Sequence, residues 1–278
     1  MNERSIYKLF IAFVLAIFLT ALFGCGRLVP IEPKAINETA VSASIKFPYK
    51  GLSPQSLTKI VVQVTHADID TIRKELILSA GGAKGQLEVP TGKLLTFTAI
   101  AYQGTTAVLS GSTQVKPEAG KTATVQILLN FLVPALILTP PDTSLSLGSE
   151  VAIYLEARHC TDLGTIGARL LFDNTKLQVV DLGREDAFLK SNSGSINQLK
   201  FSKDNTNGSV DVVLGVFPAS AAVSGDGKIV KIVFKTVATG MANLAVSLDN
   251  AADSDLGLFD KNANLMDALA LGGSVEIK

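Results

Sequence analysis

The chain has 278 residues, 47% of them hydrophobic, and its 25 basic and 25 acidic side chains leave no net charge. Lys and Arg are scattered and never form a run, which excludes the basic stripe that nucleic acid requires, so no nucleic-acid partner is expected. Two histidines and two cysteines leave little material for metal or nucleophile chemistry, and the length suits about two domains.

The first element is an export signal. MNERSIYK carries Arg4 and Lys8, and residues 9–24 (LFIAFVLAIFLTALFG) form an uncharged apolar run. That run is shorter than the roughly 20 residues of a spanning helix and ends in small residues. Leu22-Phe23-Gly24-Cys25 resembles the lipobox of bacterial lipoproteins, with Phe23 where a smaller residue is usual. The resemblance makes residues 1–24 a lipoprotein signal peptide, a signal helix in form, and Cys25 the lipidated mature N-terminus. The membrane is then a partner through the lipid anchor, and the protein is exported and held at the bacterial cell envelope, at the outer membrane or cell surface. An uncleaved membrane anchor is the other reading, and both place the rest of the chain outside the cytoplasm. Cys160 is the only cysteine left, so no intrachain disulfide is expected; in RHCTD it reads either as a reactive thiol or as a small buried residue.

Residues 25–38 contain two prolines and little periodicity, and read as a tether able to span roughly 40 Å when extended. Beyond the tether the predicted fold class is all-β, as two β-sandwich domains. In residues 39–131, AVSASIKF, TKIVVQVT, KELIL, GQLEV, LLTFTAIAYQ, TAVLSGSTQV and KTATVQILL are strand-like runs punctuated by Gly and Pro. This region resembles Ig-like or prealbumin-like accessory modules of bacterial surface lipoproteins. DIDTIRKE (68–75) reads as a helical turn or as a loop crossing the sandwich. FLVPALILTPPD, with three prolines that do not belong inside central strands, marks a join near residue 133. From residue 135 to 278 the strand pattern resumes without any long helical period.

Three landmarks lie in order in this second region: LSLGSEVAIYLEA with its turn at Gly148, DLGTIGARLLFDNTKLQVVDL, and SGDGKIVKIVFKTVATGMANLAVS (224–247). In the last, Val230, Ile232 and Phe234 share one face of a strand, which Thr239-Gly240 turns back into a hairpin. Together they resemble a cohesin domain, the β-sandwich jelly roll that binds dockerin modules. Phe172-Asp173 with Leu177 matches the aromatic–Asp–x–x–x–Leu turn, and Asp173-Asn174 suit it because their side chains bond nearby amides. Residues 135–278 are therefore identified as cohesin-like. Thr165 and Gly167 stand where cellulosomal members carry an Asn and an Asp that contact dockerin.

Alternation sends Ile166, Ala168, Leu170 and Phe172 inward, and Thr165, Gly167, Arg169 and Leu171 outward. On the strand SVDVVLGVF it sends Asp211, Val213, Gly215 and Phe217 outward. The candidate partner-binding face is thus Thr165, Gly167, Arg169, Leu171, Asp211, Val213 and Phe217. Such a face is either a docking surface or is covered by the first module.

Other chemistry is sparse. His66 and His159 end strands in different modules, and neither neighbours a nucleophile motif. Asp260, Asn262 and Asn264 open like a calcium loop, but Leu265 and Leu271 replace its Gly and closing Glu, which excludes an EF-hand. For Asp249, Asp253 and Asp255 a calcium-binding oxygen cage is one reading and a solvated loop the default; no other cofactor is expected. The chain has no Trp and four Tyr; Tyr154 is assigned to the core, which disfavours a planar sugar platform. The function expected is that of a non-enzymatic, lipid-anchored envelope protein. Its cohesin-like domain would bind a dockerin-like protein module, with a link to polysaccharide degradation; the alternative is a carbohydrate-binding surface lipoprotein whose partner is a surface glycan.

Overall fold

A computed structural model describes residues 38–46, 57–79 and 82–278. Their regular structure is almost entirely strand. The first module contains β1 (Glu38–Lys46), β2 (Lys59–His66), β3 (Ile69–Ser79), β4 (Gly82–Pro90), β5 (Leu95–Gln103), β6 (Thr106–Val115), β7 (Ala123–Leu128) and β8 (Asn130–Phe131). Their order is β7-β1-β4-β3-β2-β5-β6-β8. Period-two burial explains the strands: Leu95, Phe97, Ala99 and Ala101 of β5 and Ile60, Val62 and Val64 of β2 are sealed in the core, while the residues between them are not. β3 folds the sheet over on itself, pairing with β2 up to Leu76 and with β4 from Ile77 to Ser79.

β3 corrects the expectation for DIDTIRKE, which is neither a helical turn nor a crossing loop. Ile69–Ser79 is a strand hairpinned onto β2. Four residues of β3 (Ile69 to Ile72) oppose three of β2 (Val64 to His66), a bulge that puts Ile69 and Ile72 on one side at a spacing of three. In sequence that spacing imitates a helical turn.

The second module contains β9 (Ala135–Thr139), β10 (Asp142–Leu145), β11 (Glu150–Phe172), β12 (Leu177–Arg184), α1 (Asp186–Leu189), β13 (Ser195–Asp204) and β14 (Ser209–Phe217). After a 3₁₀ turn at Ala219–Ala221 come β15 (Val223–Thr236), β16 (Gly240–Ser247), β17 (Gly257–Asp260), β18 (Leu265–Met266), β19 (Leu269–Leu271) and β20 (Gly273–Ile277). The 23-residue β11 serves both layers. Its first part pairs with β9 and β15, and its last part with β14 on one edge and β17 and then β16 on the other. The bend lies at residues 158–162, where the register slips and His159 and Asp162 both take φ of 52°. One layer is therefore β12-β15-β11-β9-β19, and the other is β13-β14-β11-β16-β20-β10.

This arrangement also corrects the reading of 224–247. The strand of Val230, Ile232 and Phe234 is present, and those three side chains are buried. It forms no hairpin with β16. β15 pairs with β11 and β12, whereas β16 pairs with β11 and β20, so residues 237–239 carry the chain from one layer to the other. The crossing is tied to the turn before β11. Gly148, at φ 82°, donates to the Thr236 carbonyl at 3.1 Å, and the buried Thr236 hydroxyl lies 3.0 Å from the Ser146 carbonyl. Across the sandwich, Phe172 meets Phe234 edge to face, with centroids 5.3 Å apart. In the Phe172-Asp173 turn, Asp173 accepts from the Thr175 amide at 3.0 Å while its carbonyl receives the Leu177 amide at 2.9 Å. The Asp173 side-chain bond is the expected local one; the Asn174 side chain instead donates to the Thr206 carbonyl, 32 residues away.

Two hydrophobic cores meet at β9. Leu136 and Leu138 pack into the second module's core, whereas Ala135 and Ile137, with Leu269 and Leu271 of β19, pack into the first module's. The segment ALILT is consequently buried on both faces. The first module thus lies against the β9–β19 side and leaves the outer face of β13-β14-β11-β16 uncovered by it.

Candidate partner-binding face

In antiparallel pairs, directly opposed residues share a face. The outer face of the β13-β14-β11-β16 layer can therefore be read row by row. Ser195 and Phe217 form the first row, and Asn197, Gly215 and Thr165 the second. Lys200, Val213 and Gly167 form the third, and Ser202, Asp211, Arg169 and Ser247 the fourth. Asp204, Ser209, Leu171 and Ala245 complete it. Thr165, Gly167, Arg169, Leu171, Asp211, Val213 and Phe217 all belong to this one face, and Ile166, Ala168, Leu170 and Phe172 are buried beneath it.

Two of the seven are not available at its surface, which corrects the expectation for Gly167 and Val213. Val213 is only 6% exposed. Above Gly167 passes the loop 249–256, so close that a Cβ at this position would stand 1.6 Å from the Asp255 carbonyl oxygen. Alternation gives the direction of a side chain and says nothing about a loop eighty residues away that lies over it. An aspartate at position 167 is incompatible with this loop.

The loop is braced internally and tied to the sheet near its middle. The Asn250 amide group donates to the carbonyls of Ser254 and Leu256 at 2.7 and 2.8 Å. Asp253 takes Arg169 Nη2 at 3.2 Å, and Arg169 Nε donates to Asp211 Oδ1 at 2.6 Å. Lys200 Nζ adds a 3.4 Å pairing to the other Asp211 oxygen. The hydrogen bond and charge of Asp211, with Asp253 behind, raise the Arg169 pKa above its ordinary value. Such partly exposed pairs contribute little stability, about 0–1 kcal/mol each, so the network orients groups more than it holds the fold. Two cations and two anions cancel, leaving the centre of the face neutral and polar.

Large apolar side chains flank that centre. Leu171 is 44% exposed, Phe217 60% and Leu199 73%. Leu199 escaped the sequence reading because it is the extra residue of a bulge between Gln198 and Lys200 on the edge strand β13. A bulged residue breaks the alternation from which outward positions are counted. Asp253 and Lys200 were equally invisible as members of this face, for they reach it from a loop and an edge strand.

The remaining sequence candidates lie elsewhere. Asp249, Asp253 and Asp255 do not converge into the oxygen cage considered for them. Asp249 closes its own turn by accepting the Ala251 amide at 3.1 Å, Asp253 serves Arg169 and the Asp255 amide, and among the described residues no three His, Cys, Asp or Glu side chains are gathered as metal ligands. Asp260 accepts the amides of Asn262 and Asn264 at 2.8 and 2.9 Å, closing the turn between β17 and β18, and these bonds with the Asn264 side chain lower its pKa. Tyr154, assigned to the core from sequence, is not core; it stands on the outer side of its layer, with Lys228 Nζ 3.7 Å from the ring centroid. Cys160 is buried, and desolvation, with the nearby Asp226 charge, pushes its thiol up to about 12. His66 ends β2, its Nδ1 accepting the Asp68 amide at 3.1 Å, and His159 sits at the exposed bend of β11. Cys25 lies outside the described residues. No helix among the described residues is long and apolar enough to cross a membrane.

No family model matches the chain, and no curated protein matches it in sequence. Solved structures do match, over 52% of the chain, and they are cohesins and cohesin–dockerin complexes. One is a non-cellulosomal cohesin from the hyperthermophilic archaeon Archaeoglobus fulgidus, 16% identical, covered over 91% of its length with a TM-score of 0.41. Another is a type I cohesin–dockerin complex from Clostridium thermocellum, 17% identical, covered over 99% with a TM-score of 0.41. A third, the third ScaC cohesin with the ScaB dockerin from Acetivibrio cellulolyticus, is 17% identical and covered over 98%, with a TM-score of 0.41.

Proposed function

We propose that this chain is a non-catalytic attachment protein whose outer β13-β14-β11-β16 face docks a dockerin-like protein module. The observation that carries the reading is the composition of that face: a charge-balanced polar centre at Arg169, Asp211, Asp253 and Lys200, flanked by the exposed Leu171, Leu199 and Phe217. Protein interfaces favour exposed apolar anchors in a neutral setting, while nucleic acids and charged ligands require a charge excess. The sequence landmarks at Gly148, Phe172-Asp173 and Gly225–Gly227 support the cohesin-like assignment of residues 135–278. At Thr165 and Gly167 this face lacks the two polar side chains of cellulosomal members, and the loop 249–256 fills the space over Gly167. The partner is therefore a divergent module that meets apolar flanks and the edge of this loop. Cys25 would tether the protein to the cell envelope by its lipid, holding a polysaccharide-degrading enzyme or similar cargo there.

The test is a titration of the full-length protein against a panel of dockerin modules. At least one is expected to bind with micromolar or tighter affinity, and Phe217→Asp with Leu199→Asp is expected to weaken it by at least a hundredfold. Binding to none of the panel, or binding indifferent to both changes, would overturn the assignment. The anchor is tested separately by metabolic acyl labelling, which should vanish in Cys25→Ala.

A further inference from the structure

Away from that face, residues of β8, the β9–β10 turn, the bend of β11 and β15 converge on a cleft of about 640 Å³. Both modules contribute to it, Phe131 from the first and Pro140, Arg158, His159 and Asp226 from the second. Ligand sites favour such junctions and volumes. Its polar groups are fixed in advance. Glu156, only 8% exposed, accepts from the Thr139 hydroxyl at 2.7 Å and pairs with Arg158 at 3.2 Å. Arg158 extends to Asp226 Oδ2 at 3.0 Å, and Asp226 Oδ1 accepts the His159 amide at 2.7 Å. Among the described residues that amide belongs to one of the few non-glycine positions with positive φ, a conformation that often marks functional positions.

The lining restricts the ligand. Asp226 and Asp142 in the lining outnumber Arg158, and Glu156 behind Arg158 adds a third carboxylate, so an anion is repelled. Arg158 lies between Glu156 and Asp226, in the place a cation would take. No group of carboxylates, histidines and cysteines able to hold a metal is gathered among the described residues. Yet hydrogen-bonding capacity remains: a guanidinium has five donors, and each Asp226 oxygen keeps a free lone pair. Beside these groups stand the flat apolar surfaces of Phe131, Pro140 and Pro141. A neutral molecule with many hydroxyls and apolar C–H faces meets all of these conditions.

We infer that this cleft is a subsite for a neutral oligosaccharide, with adjacent hydroxyls bonded by Arg158 and Asp226 and a ring face against Phe131 and Pro140. This site stands apart from the protein-docking face and does not rest on it. Carrying both, the protein would hold its partner beside the glycan it grips.

The experiment is calorimetric titration of the full-length protein with cello-, xylo-, manno- and galactohexaose, with a tetragalacturonate as the anionic comparator. Saturable binding of at least one neutral hexaose is expected. Phe131→Ala and Asp226→Ala should each weaken it at least tenfold, and Phe217→Asp should leave it unchanged. Arg158→Lys, which keeps the charge and removes the planar fork, is the second variant should Asp226→Ala loosen the fold, and the same loss is expected. The inference is overturned if no neutral hexaose binds at millimolar concentration or if the anionic sugar binds more tightly. It also falls if binding is indifferent to these variants or is lost in Phe217→Asp.

Discussion

Gly167 and Cys160 each put a physical demand on the fold that a single substitution exposes. A side chain at 167 collides with the Asp255 carbonyl, which is backbone and cannot rotate away. Gly167→Asp, which would introduce the residue of cellulosomal cohesins, is expected to displace the loop 249–256 and cost about 1–3 kcal/mol in urea denaturation. An unaltered midpoint would show that the loop is not held where it is. Cys160 is an acid whose folded pKa is raised, from 9.0 to about 12, chiefly by burial. Below 9.0 both states keep the proton and the thiol's contribution to stability is whole; above it the unfolded chain ionises first, so stability falls as pH rises from 9 towards 12. Urea midpoints of the wild type and Cys160→Ala should therefore converge over that window. Native Cys160 should resist an alkylating reagent at pH 8 that modifies the unfolded chain readily.

At the level of elements, strands were legible and their pairings were not. Val230, Ile232 and Phe234 declare a strand through their two-residue period, but nothing in β15 states that its neighbours are β11 and β12, far from it in sequence. Turn residues at Thr239-Gly240 fit a hairpin and a layer crossing equally well, and long-range pairing decided between them. The same logic divides the face. Alternation placed Thr165, Arg169, Leu171, Asp211 and Phe217 on one side, whereas the loop over Gly167 and the bulge at Leu199 arise from tertiary packing that period counting does not register. That loop is braced internally but tied to the strands beneath it by few side-chain bonds. Removing one of them in Arg169→Ala is expected to speed amide exchange at 250–256 at least tenfold while β14 stays protected. Exchange that does not change would place the anchoring elsewhere.

Across the whole molecule, β9 links two cores through opposite faces of one strand. Leu138→Ala removes a fully buried side chain and is expected to cost about 2–5 kcal/mol. Because Ile137 next to it belongs to the other core, both modules are expected to melt together, in one calorimetric transition whose midpoint the substitution lowers. Two separated transitions would mean that the shared strand does not couple them. The modules bury the β9–β19 side and leave the β13-β14-β11-β16 face to solvent, and the docking account depends on that asymmetry. The most direct measurement is amide exchange of the full-length protein with and without a bound dockerin module. The account expects protection on β13, on β14 and around Leu171, with β12 and the inter-module cleft unchanged. Protection confined to β12, β15 or that cleft would contradict it.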